Sequence, residues 1–443
     1  MKNWLKLWCV LIIVAGLSTP VFAGGVDNKQ NFSAAYAGSL SRNAATDGAD
    51  AAAYNPAGLM YLQNGVYLDI NAQPFTFDYD HTFNNDTQTA TSVLVTPTVF
   101  GIYKTNKWAL FGAFTINGGG GETEYDDGNI ITQDIGSNAA KGAFTNAGYS
   151  QYEAATGTTR PNNSQLAPGG SLSDEYAYAK SFDYTFTTGV AYKINNIVSV
   201  AAGARYILTD KKVDIHGTYS QGGTDTYVVG KYDQEAHGFG GVFGLNIRPS
   251  DTVNIGIRYE TKVKLDWDNT VGDESKGTVG ENILWMNNRV NGESYARDLP
   301  AVLAIGLEWR ALPKLTVTPS YTYYFEKDAD WGNQNHNTDE NSYDLAVGLQ
   351  YDLNEKWSLT TGYMYIGIGI HPEDYGIIEK MSPPLDCHAF AMGVKYRMTR
   401  RLLLTLSGTG YFYQADTDYE NSSTVVTYDK ELYSGGIGIQ YRF

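Results

Sequence analysis

The sequence ends in Gly436-Ile437-Gly438-Ile439-Gln440-Tyr441-Arg442-Phe443, and this stretch decides the fold. Four apolar or aromatic residues alternate here with small or polar ones, which is the two-residue period of a β-strand with two different faces. The apolar set is Ile437, Ile439, Tyr441 and Phe443. Apolar side chains facing outward and small or charged side chains facing inward indicate lipid outside and a polar lumen inside. The stretch therefore predicts the closing strand of a transmembrane β-barrel.

The final residues also resemble the carboxy-terminal signal of outer-membrane barrels. Phe443 is terminal, and Tyr441 stands two residues before it. We expect the barrel-assembly machinery to bind the chain through Tyr441 and Phe443. The alternative is the edge strand of a soluble sheet that happens to end in Phe.

The same alternation recurs in the middle of the chain. In Val253–Tyr259, the apolar or aromatic residues occupy the odd positions, and Arg258 falls on the opposite face. In Val198–Tyr206, they occupy the even positions, and Arg205 falls on the opposite face. Both arginines are therefore predicted to face the lumen.

Composition supports a barrel over a helical membrane protein. After Ala23 no apolar run reaches the roughly 20 residues that a spanning helix needs, and the mean hydropathy is −0.32. Aromatic residues nevertheless make up 13% of the chain, with 34 Tyr and 48 Gly. Interfacial aromatic girdles account for such an excess in transmembrane barrels. A soluble secreted β-sandwich is the alternative that composition leaves open.

The first 23 residues have the pattern of a secretory signal peptide. Lys2 and Lys6 precede the apolar run Leu7–Leu17, and small residues precede a cleavage site after Ala23. A retained anchor is the alternative, although the run is short for a spanning helix. The mature chain would then carry 30 basic and 48 acidic residues, a net charge of −18. Such a balance argues against nucleic acid as a partner.

The mature chain would keep one cysteine, Cys387, so a disulfide framework is excluded.

Six short turns divide the chain into hairpins. Each follows an aromatic or apolar strand end and in most cases a basic residue, and each is followed by a new alternation. They fall at Tyr103–Trp108, Tyr192–Asn196, Ile247–Asp251, Trp309–Lys314, Tyr351–Trp357 and Tyr396–Arg400. Long polar connections, the longest from about Asn117 to Ser171, separate them. Short periplasmic turns and long outer loops predict an all-β, antiparallel barrel of about fourteen strands over residues 65–443.

Residues 24–64 precede the first strand and do not alternate as a membrane strand does. They are rich in Ala, Gly, Ser and Asn. We expect this segment to fold inside the lumen as a plug, here called the hatch. A disordered periplasmic tail is the alternative.

The hatch carries a resemblance to a known family. Ala35-Tyr36-Ala37-Gly38, Ala44–Asp50 and Tyr54-Asn55-Pro56-Ala57-Gly58-Leu59 are similar to the amino-terminal hatch of the FadL/TodX family of long-chain fatty-acid and aromatic-hydrocarbon transporters. Asp298-Leu299-Pro300 opening one strand and Asp328-Ala329-Asp330-Trp331 closing the next also match the order of elements in that family.

The resemblance implies a fourteen-stranded barrel of the Gram-negative outer membrane, plugged by its hatch. It implies that a hydrophobic molecule binds near the outer loops and leaves sideways through a gap in the wall, without coupled energy. One feature departs from the family, where an aromatic residue stands near the third mature position. Here the mature chain would begin Gly24-Gly25-Val26-Asp27.

Two inward arginines are the candidates for binding a fatty-acid carboxylate. Arg205 and Arg258 can offer bidentate contacts in a desolvated site. Their alternative role is to pair with lumen charges such as Glu260 and to pin the hatch. Phe100 and Phe111 also fall on the inward face and are candidates for lining an apolar route. Packing against the plug is the alternative for these aromatics.

The gap in the wall needs interrupted strand pairing. Gly118-Gly119-Gly120-Gly121 stands at the outer end of the third strand, and glycine tolerates backbone shapes that break a ladder. Pro97 removes a ladder donor from the second strand. An ordinary flexible loop is the alternative reading of these glycines.

No enzyme, cofactor or metal site is predicted. The six histidines lack metal-ligand or catalytic spacing, and we expect most of them in or near loops. Acidic clusters at Asp126-Asp127 and Asp328–Glu340 are candidates for bridging lipopolysaccharide through a cation, but their spacing matches no calcium loop.

The leading hypothesis is a monomeric channel for long-chain fatty acids or other hydrophobic ligands, in contact with outer-membrane lipid and lipopolysaccharide. Uptake of monoaromatic hydrocarbons is the first alternative. A general diffusion porin and a structural or adhesive barrel are the others.

Overall fold

The computed structural model describes residues 31–83, 85–118, 121–332, 340–372, 379–421 and 424–443. The predicted signal peptide and the Gly24–Asp27 start lie outside these residues. Within these residues, eighteen strand segments form one antiparallel sheet. They are β1 Gly65–Phe83, β2 Asp86–Lys104, β3 Trp108–Ile116, β4 Gly121–Tyr125, β5 Ser171–Lys193, β6 Val198–Gln221, β7 Thr224–Ser250, β8 Val253–Glu260, β9 Asp266–Val271, β10 Ser294–Ala296, β11 Ala301–Leu312, β12 Leu315–Phe325, β13 Tyr343–Asp352, β14 Trp357–Gly367, β15 Cys387–Arg397, β16 Leu402–Tyr413, β17 Asp416–Asn421 and β18 Thr424–Arg442.

The sheet closes into a barrel of fourteen wall strands. β1 pairs with β2 on one side and with β18 on the other, so no free edge is left there. Four wall strands are each broken into two segments, namely β3 and β4, β8 and β9, β10 and β11, and β16 and β17. The predicted all-β antiparallel barrel of about fourteen strands is confirmed.

The side chains point as the alternation predicts. Ile437 is 54% exposed and Ile439 is 50% exposed on the lipid face, whereas Arg205 and Arg258 are buried in the lumen. Exposed aromatic residues cluster near the short turns, which lie where the alternation predicts them. This lower girdle includes Tyr103, Trp108, Tyr192, Trp309, Tyr351, Trp357 and Tyr441.

Three neighbouring strands are far longer than a bilayer requires. β5, β6 and β7 contain 23, 24 and 27 residues, whereas about 9–11 residues cross a membrane. Their outer ends therefore project beyond the lipid as an extended wall. In the described residues, His216 and His237 lie inside the long strands β6 and β7, whereas His81 and His388 lie within two residues of the ends of β1 and β15.

Helices in two outer loops roof the barrel. α3 (Ile130–Ala140) and α4 (Asn146–Thr156) lie in the connection from β4 to β5, and α5 (Val279–Met286) follows β9. Each begins at a side-chain cap, formed by Asn129, Thr145 and Thr278 respectively. No helix in the described part of the chain is long and apolar enough to cross a membrane.

The described part of the hatch, residues 31–64, fills the lower lumen. It contains α1 (Ala34–Ala37), α2 (Ala51–Tyr54) and a 3₁₀ helix at Pro56–Tyr61. The Tyr36 and Tyr54 rings stack with centroids 5.3 Å apart. These rings belong to a buried apolar cluster shared with wall residues. The hatch is therefore packed against the wall as part of one core.

Candidate functional site

The Asn55-Pro56-Ala57 motif joins the hatch to the wall. Asn55 Oδ1 accepts the Gly58 N–H at 3.3 Å, and Pro56 occupies the start of the 3₁₀ helix, where its missing N–H costs nothing. Asn55 Nδ2 donates to Asn246 Oδ1 in β7 at 2.7 Å. The motif therefore caps a helix and binds the wall with one side chain.

Inward glycines in the wall let the hatch backbone come close. A Cβ on Gly362 in β14 would lie 2.0 Å from the Ser39 carbonyl oxygen. A Cβ on Gly256 in β8 would lie 2.2 Å from that of Asn43. Both contacts are too short for any side chain, so these positions hold the hatch at a fixed distance from the wall.

Charged groups also bind the hatch to the wall. Arg42 makes a bidentate contact with Asp50, at 3.0 and 2.7 Å, and meets Asp47 at 2.7 Å. Lys395 in β15 contacts Asp47 at 2.7 Å. Burial alone would lower the pKa of Arg42, but Asp47 and Asp50 raise it well above its usual value. The hatch therefore carries a charged network into the wall.

The two predicted carboxylate binders are already paired. Arg205 and Arg258 both contact Glu260, the latter at 3.2 Å, and Arg205 also donates to the Thr261 carbonyl at 2.7 Å. Arg258 donates to the Ala53 carbonyl of the hatch. These three residues are called the inner cluster. Its arginines neutralise Glu260 and hold the hatch, which is the alternative role stated for them above.

The two predicted lining aromatics also contact the hatch. Phe100 is fully buried and Phe111 is 3% exposed. Both belong to the apolar cluster that contains Ala52, Leu59 and Met60. Their rings close the lower lumen around the plug.

A second group of cations lies further out in the lumen, and sequence reasoning missed it. Lys211 in β6 is 9% exposed and Arg289, after α5, is 2% exposed. Arg297 lies within electrostatic range of Lys211, as does Arg289. These three residues are called the outer cluster. The alternation that turns Arg205 inward also turns Lys211 inward, so the inward position of Lys211 could have been predicted. Nothing in the sequence pattern indicated that Arg289 would lie beside it.

Tyrosines and amides surround the outer cluster. The Arg289 guanidinium lies 4.8 Å from the ring centre of Tyr295 and 5.7 Å from that of Tyr232. The Tyr295 hydroxyl donates to Gln234 Oε1 at 3.1 Å. Within the described residues, neither Lys211 nor Arg297 forms an ion pair with a carboxylate. The cluster therefore presents positive charge to the lumen.

Apolar side chains lie on both sides of the outer cluster. Toward the hatch is a buried group that consists of Ile207, Ala236, Val263, Leu265 and Trp267. Toward the outside is a second group that includes Tyr79, Val213, Ile215, Tyr232, Val271 and Leu284. A molecule with one anionic end and an apolar body matches this arrangement of surfaces.

The roofing loops are bound to each other above this lumen. Asn162, before β5, donates to the Thr278 carbonyl and to Glu281, both at 2.9 Å. Asn282 donates to the Ser164 carbonyl at 2.9 Å. Tyr149 and Trp285 pack together beneath these contacts. The outer lumen is therefore covered by a joined pair of loops.

The wall is interrupted beside the hatch. β2 pairs with β3 from Lys104 and Ala109 to Val99 and Phe114, and beyond that point the described residues show no β2 pairing with β4. β4 stays paired to β5. The break between β3 and β4 includes the predicted Gly118 and ends at Gly121, whereas Gly119 and Gly120 lie outside the described residues. Pro97 pairs with Ala72 of β1 and lies on the stretch of β2 that has no partner on its other side in the described residues.

Asp298-Leu299-Pro300 has a structural explanation. Asp298 accepts the backbone N–H groups of Leu265 and Asp330, at 3.3 and 3.2 Å, and contacts Lys262 at 3.1 Å. Leu299 forms a backbone bridge with Val263. The motif therefore holds the inward fold of the chain between β8 and β9.

In the described residues, no group of three or more His, Cys, Asp or Glu side chains is arranged to hold a metal ion. Part of the acidic Asp328–Glu340 stretch lies outside those residues.

Comparison with known sequences finds one family over most of the chain. The sequence profile of the family described as outer membrane protein transport protein (OMPP1/FadL/TodX) matches residues 14–377. Outer membrane protein P1 of Haemophilus influenzae is 21% identical over 394 residues, which cover 73% of this chain and 80% of that protein.

Solved structures share the fold at low identity. A Pseudomonas aeruginosa FadL homologue superimposes with a TM-score of 0.67 and 12% identity, over 96% of this chain and all of that one. The Pseudomonas putida toluene transporter TodX gives a TM-score of 0.60 and 14% identity, over 89% of this chain and 94% of that one.

Proposed function

The chain belongs to the outer membrane protein transport protein (OMPP1/FadL/TodX) family, and from this premise we propose that it carries long-chain fatty acids inward. It is an outer-membrane transporter of hydrophobic compounds and not an enzyme. The proposal concerns the substrate and the route. Transport is passive, and the fatty acid moves from the roofed outer lumen to the wall gap beside β2.

The outer cluster is the observation that carries the choice of substrate. A buried cation without a carboxylate partner is costly unless an anion joins it. Lys211 stands in this situation, with the partly buried Arg297 nearby, and apolar surfaces extend from it in both directions. A fatty-acid carboxylate would supply the anion, and its chain would occupy one apolar surface. Charge-assisted contacts of this kind are the strong ones.

Two alternatives remain distinguishable. A monoaromatic hydrocarbon, the substrate named for TodX, would use the aromatic walls and make no use of the outer cluster. A general porin would need an open lumen, whereas the hatch shares a buried core with the wall.

Replacing Lys211 by Met tests the substrate. We expect purified Lys211→Met protein to bind palmitate about tenfold more weakly than the unchanged protein, since one charge-assisted contact is lost. Binding of hexadecanol, which has the same chain and no charge, should stay unchanged. Titration of the detergent-solubilised protein with each ligand measures both affinities.

Lys212→Met is the matched control, because Lys212 is the next residue and its side chain is 52% exposed on the outer face. It should bind palmitate normally. Equal palmitate affinity in Lys211→Met and the unchanged protein would overturn the proposed substrate. Binding of toluene without binding of palmitate would favour the aromatic alternative.

The route is tested at the break between β3 and β4. Replacing Gly118-Gly119-Gly120-Gly121 by Thr-Val-Thr-Val should favour a continuous strand and pair it with β2. We expect uptake of labelled palmitate by cells to fall by about tenfold or more, because a paired wall offers no side exit. Palmitate binding by the purified variant should persist. Unchanged uptake would eliminate lateral release at this place.

A further inference from the structure

The short turns at one side of the barrel form a basic surface. Three neighbouring turns, residues 310–315, 351–357 and 397–402, join β11 to β12, β13 to β14 and β15 to β16. All of their Lys and Arg side chains are exposed, namely Arg310, Lys314, Lys356, Arg397, Arg400 and Arg401. Within the described residues, none of the six forms an ion pair with a carboxylate. These six residues are called the basic arc.

The arc is continuous from one turn to the next. The Asp352 N–H donates to the Lys314 carbonyl at 2.8 Å, and the Arg397 N–H donates to the Lys356 carbonyl at 2.8 Å. Glu355 is the one exposed carboxylate in the three turns, and Asp352 is half-buried and accepts from Gln350 and Ser358. A chain with 48 acidic residues therefore has a concentrated positive surface at this end.

Apolar side chains stand at the tips of the same turns. Leu312 is 59% exposed, Leu353 is 44% exposed and Met398 is 50% exposed. Just above them are aromatic residues of the lower girdle, with Trp357 stacked on Tyr396 at 4.2 Å. Girdle aromatics mark the level of the lipid headgroups. The basic arc therefore lies at headgroup level, beside side chains that suit a lipid interface.

The opposite turns lack this combination. In the turn after β7, Arg248 lies over the Tyr61 ring at 5.1 Å, and Asp251 is exposed. In the turn after β5, the residues between Ile194 and Ile197 are Asn195 and Asn196, which carry no charge. The turn after β2 carries one exposed cation, Lys107, so the positive charge is concentrated in the three turns of the arc and is not shared equally by all the short turns.

We propose that the basic arc binds anionic phospholipid headgroups in the periplasmic leaflet. Each exposed Lys or Arg near a membrane surface attracts anionic lipid headgroups. This attraction does not depend on the transported molecule. The apolar tips would enter the interface beside the bound headgroups. The occupant is a lipid phosphate and not an acidic protein, because the arc stands at the aromatic girdle, where lipid already surrounds the wall.

The test measures which lipids the full-length protein retains. The protein is mixed in detergent with equal amounts of phosphatidylglycerol and phosphatidylethanolamine, repurified by gel filtration, and its lipids are counted by mass spectrometry. We expect the retained phosphatidylglycerol fraction to exceed that of the micelles by about fivefold. The enrichment should fall when the NaCl concentration rises from about 0.1 M to about 1 M, because salt shortens the distance over which charges attract each other.

Two triple variants with the same change in charge separate the arc from net charge. Arg397→Gln/Arg400→Gln/Arg401→Gln removes half of the arc, and Lys141→Gln/Lys212→Gln/Lys276→Gln removes three exposed cations from the outer end. The first should lose most of the enrichment and the second should keep it. If the first does not fold, Arg400→Gln/Arg401→Gln replaces it with the same expectation. No enrichment in the unchanged protein, or equal losses in both variants, would overturn the proposal.

Discussion

The two groups of lumen cations look alike in sequence and differ in their surroundings. In the inner cluster, Arg205 and Arg258 share Glu260, and Arg258 also reaches the hatch. In the outer cluster, Lys211 has tyrosine and amide neighbours, with Tyr295 close by and no carboxylate partner in the described residues. The buried charge is therefore compensated by a carboxylate in the inner cluster, whereas Lys211 in the outer cluster has no carboxylate partner within the described residues.

Because of this difference, substitutions in the two clusters are expected to have different effects on the free energy of unfolding. Removing one partner of a buried ion pair leaves an uncompensated charge and is strongly destabilising. Removing a buried charge that has no partner relieves such a cost. On the proposed function, basic side chains would hold the hatch at one level of the lumen and bind the substrate at another.

The largest expected effect is at Glu260. Glu260→Gln should lower the free energy of unfolding by about 3–5 kcal/mol, because two buried arginines lose their carboxylate. The hatch contact of Arg258 should loosen with it. Urea unfolding of the protein in lipid vesicles, followed by tryptophan fluorescence, measures the change.

Lys211→Gln is the matched comparison for this measurement. It should leave the free energy of unfolding unchanged or raise it by about 1 kcal/mol, since a partnerless buried charge is removed. If the two substitutions change the free energy of unfolding in opposite directions or by clearly different amounts, the contrast between the clusters is supported. Equal destabilisation by both substitutions would break it, because Lys211 would then be structural.

The wall was predictable because membrane strands obey a strict alternation. The exposed Ile437 and the buried Arg258 follow directly from that rule. Short turns also carry recognisable residues, so the strand number could be counted. The outer helices were not foreseen, since α3 and α4 lie in a polar loop whose sequence has no clear period.

The sequence predicted that the site's arginines face the lumen, but it did not decide what they bind there. Alternation turned Arg205 inward and left two roles open for it, carboxylate binding or pairing with Glu260, and the structure shows the pairing across the intervening strand β7. Arg289 comes from a loop, and only the folded chain brings it beside Tyr232. The gate at Gly118 and Pro97 stays a prediction, which rests on the local effects of glycine and proline on strand pairing.

The smallest expected effect is at the hydroxyl of Tyr295. Tyr295→Phe keeps the ring that faces the Arg289 guanidinium and removes the hydrogen bond to Gln234. Palmitate affinity should fall by about two- to fivefold, which corresponds to about one neutral hydrogen bond. The same titration that tests Lys211→Met measures it. On the proposed function the two groups would act on one carboxylate, so the double variant should lose less than the product of the single losses. A loss in Tyr295→Phe as large as that in Lys211→Met would mean that the phenol, and not the cation, dominates recognition at the outer cluster.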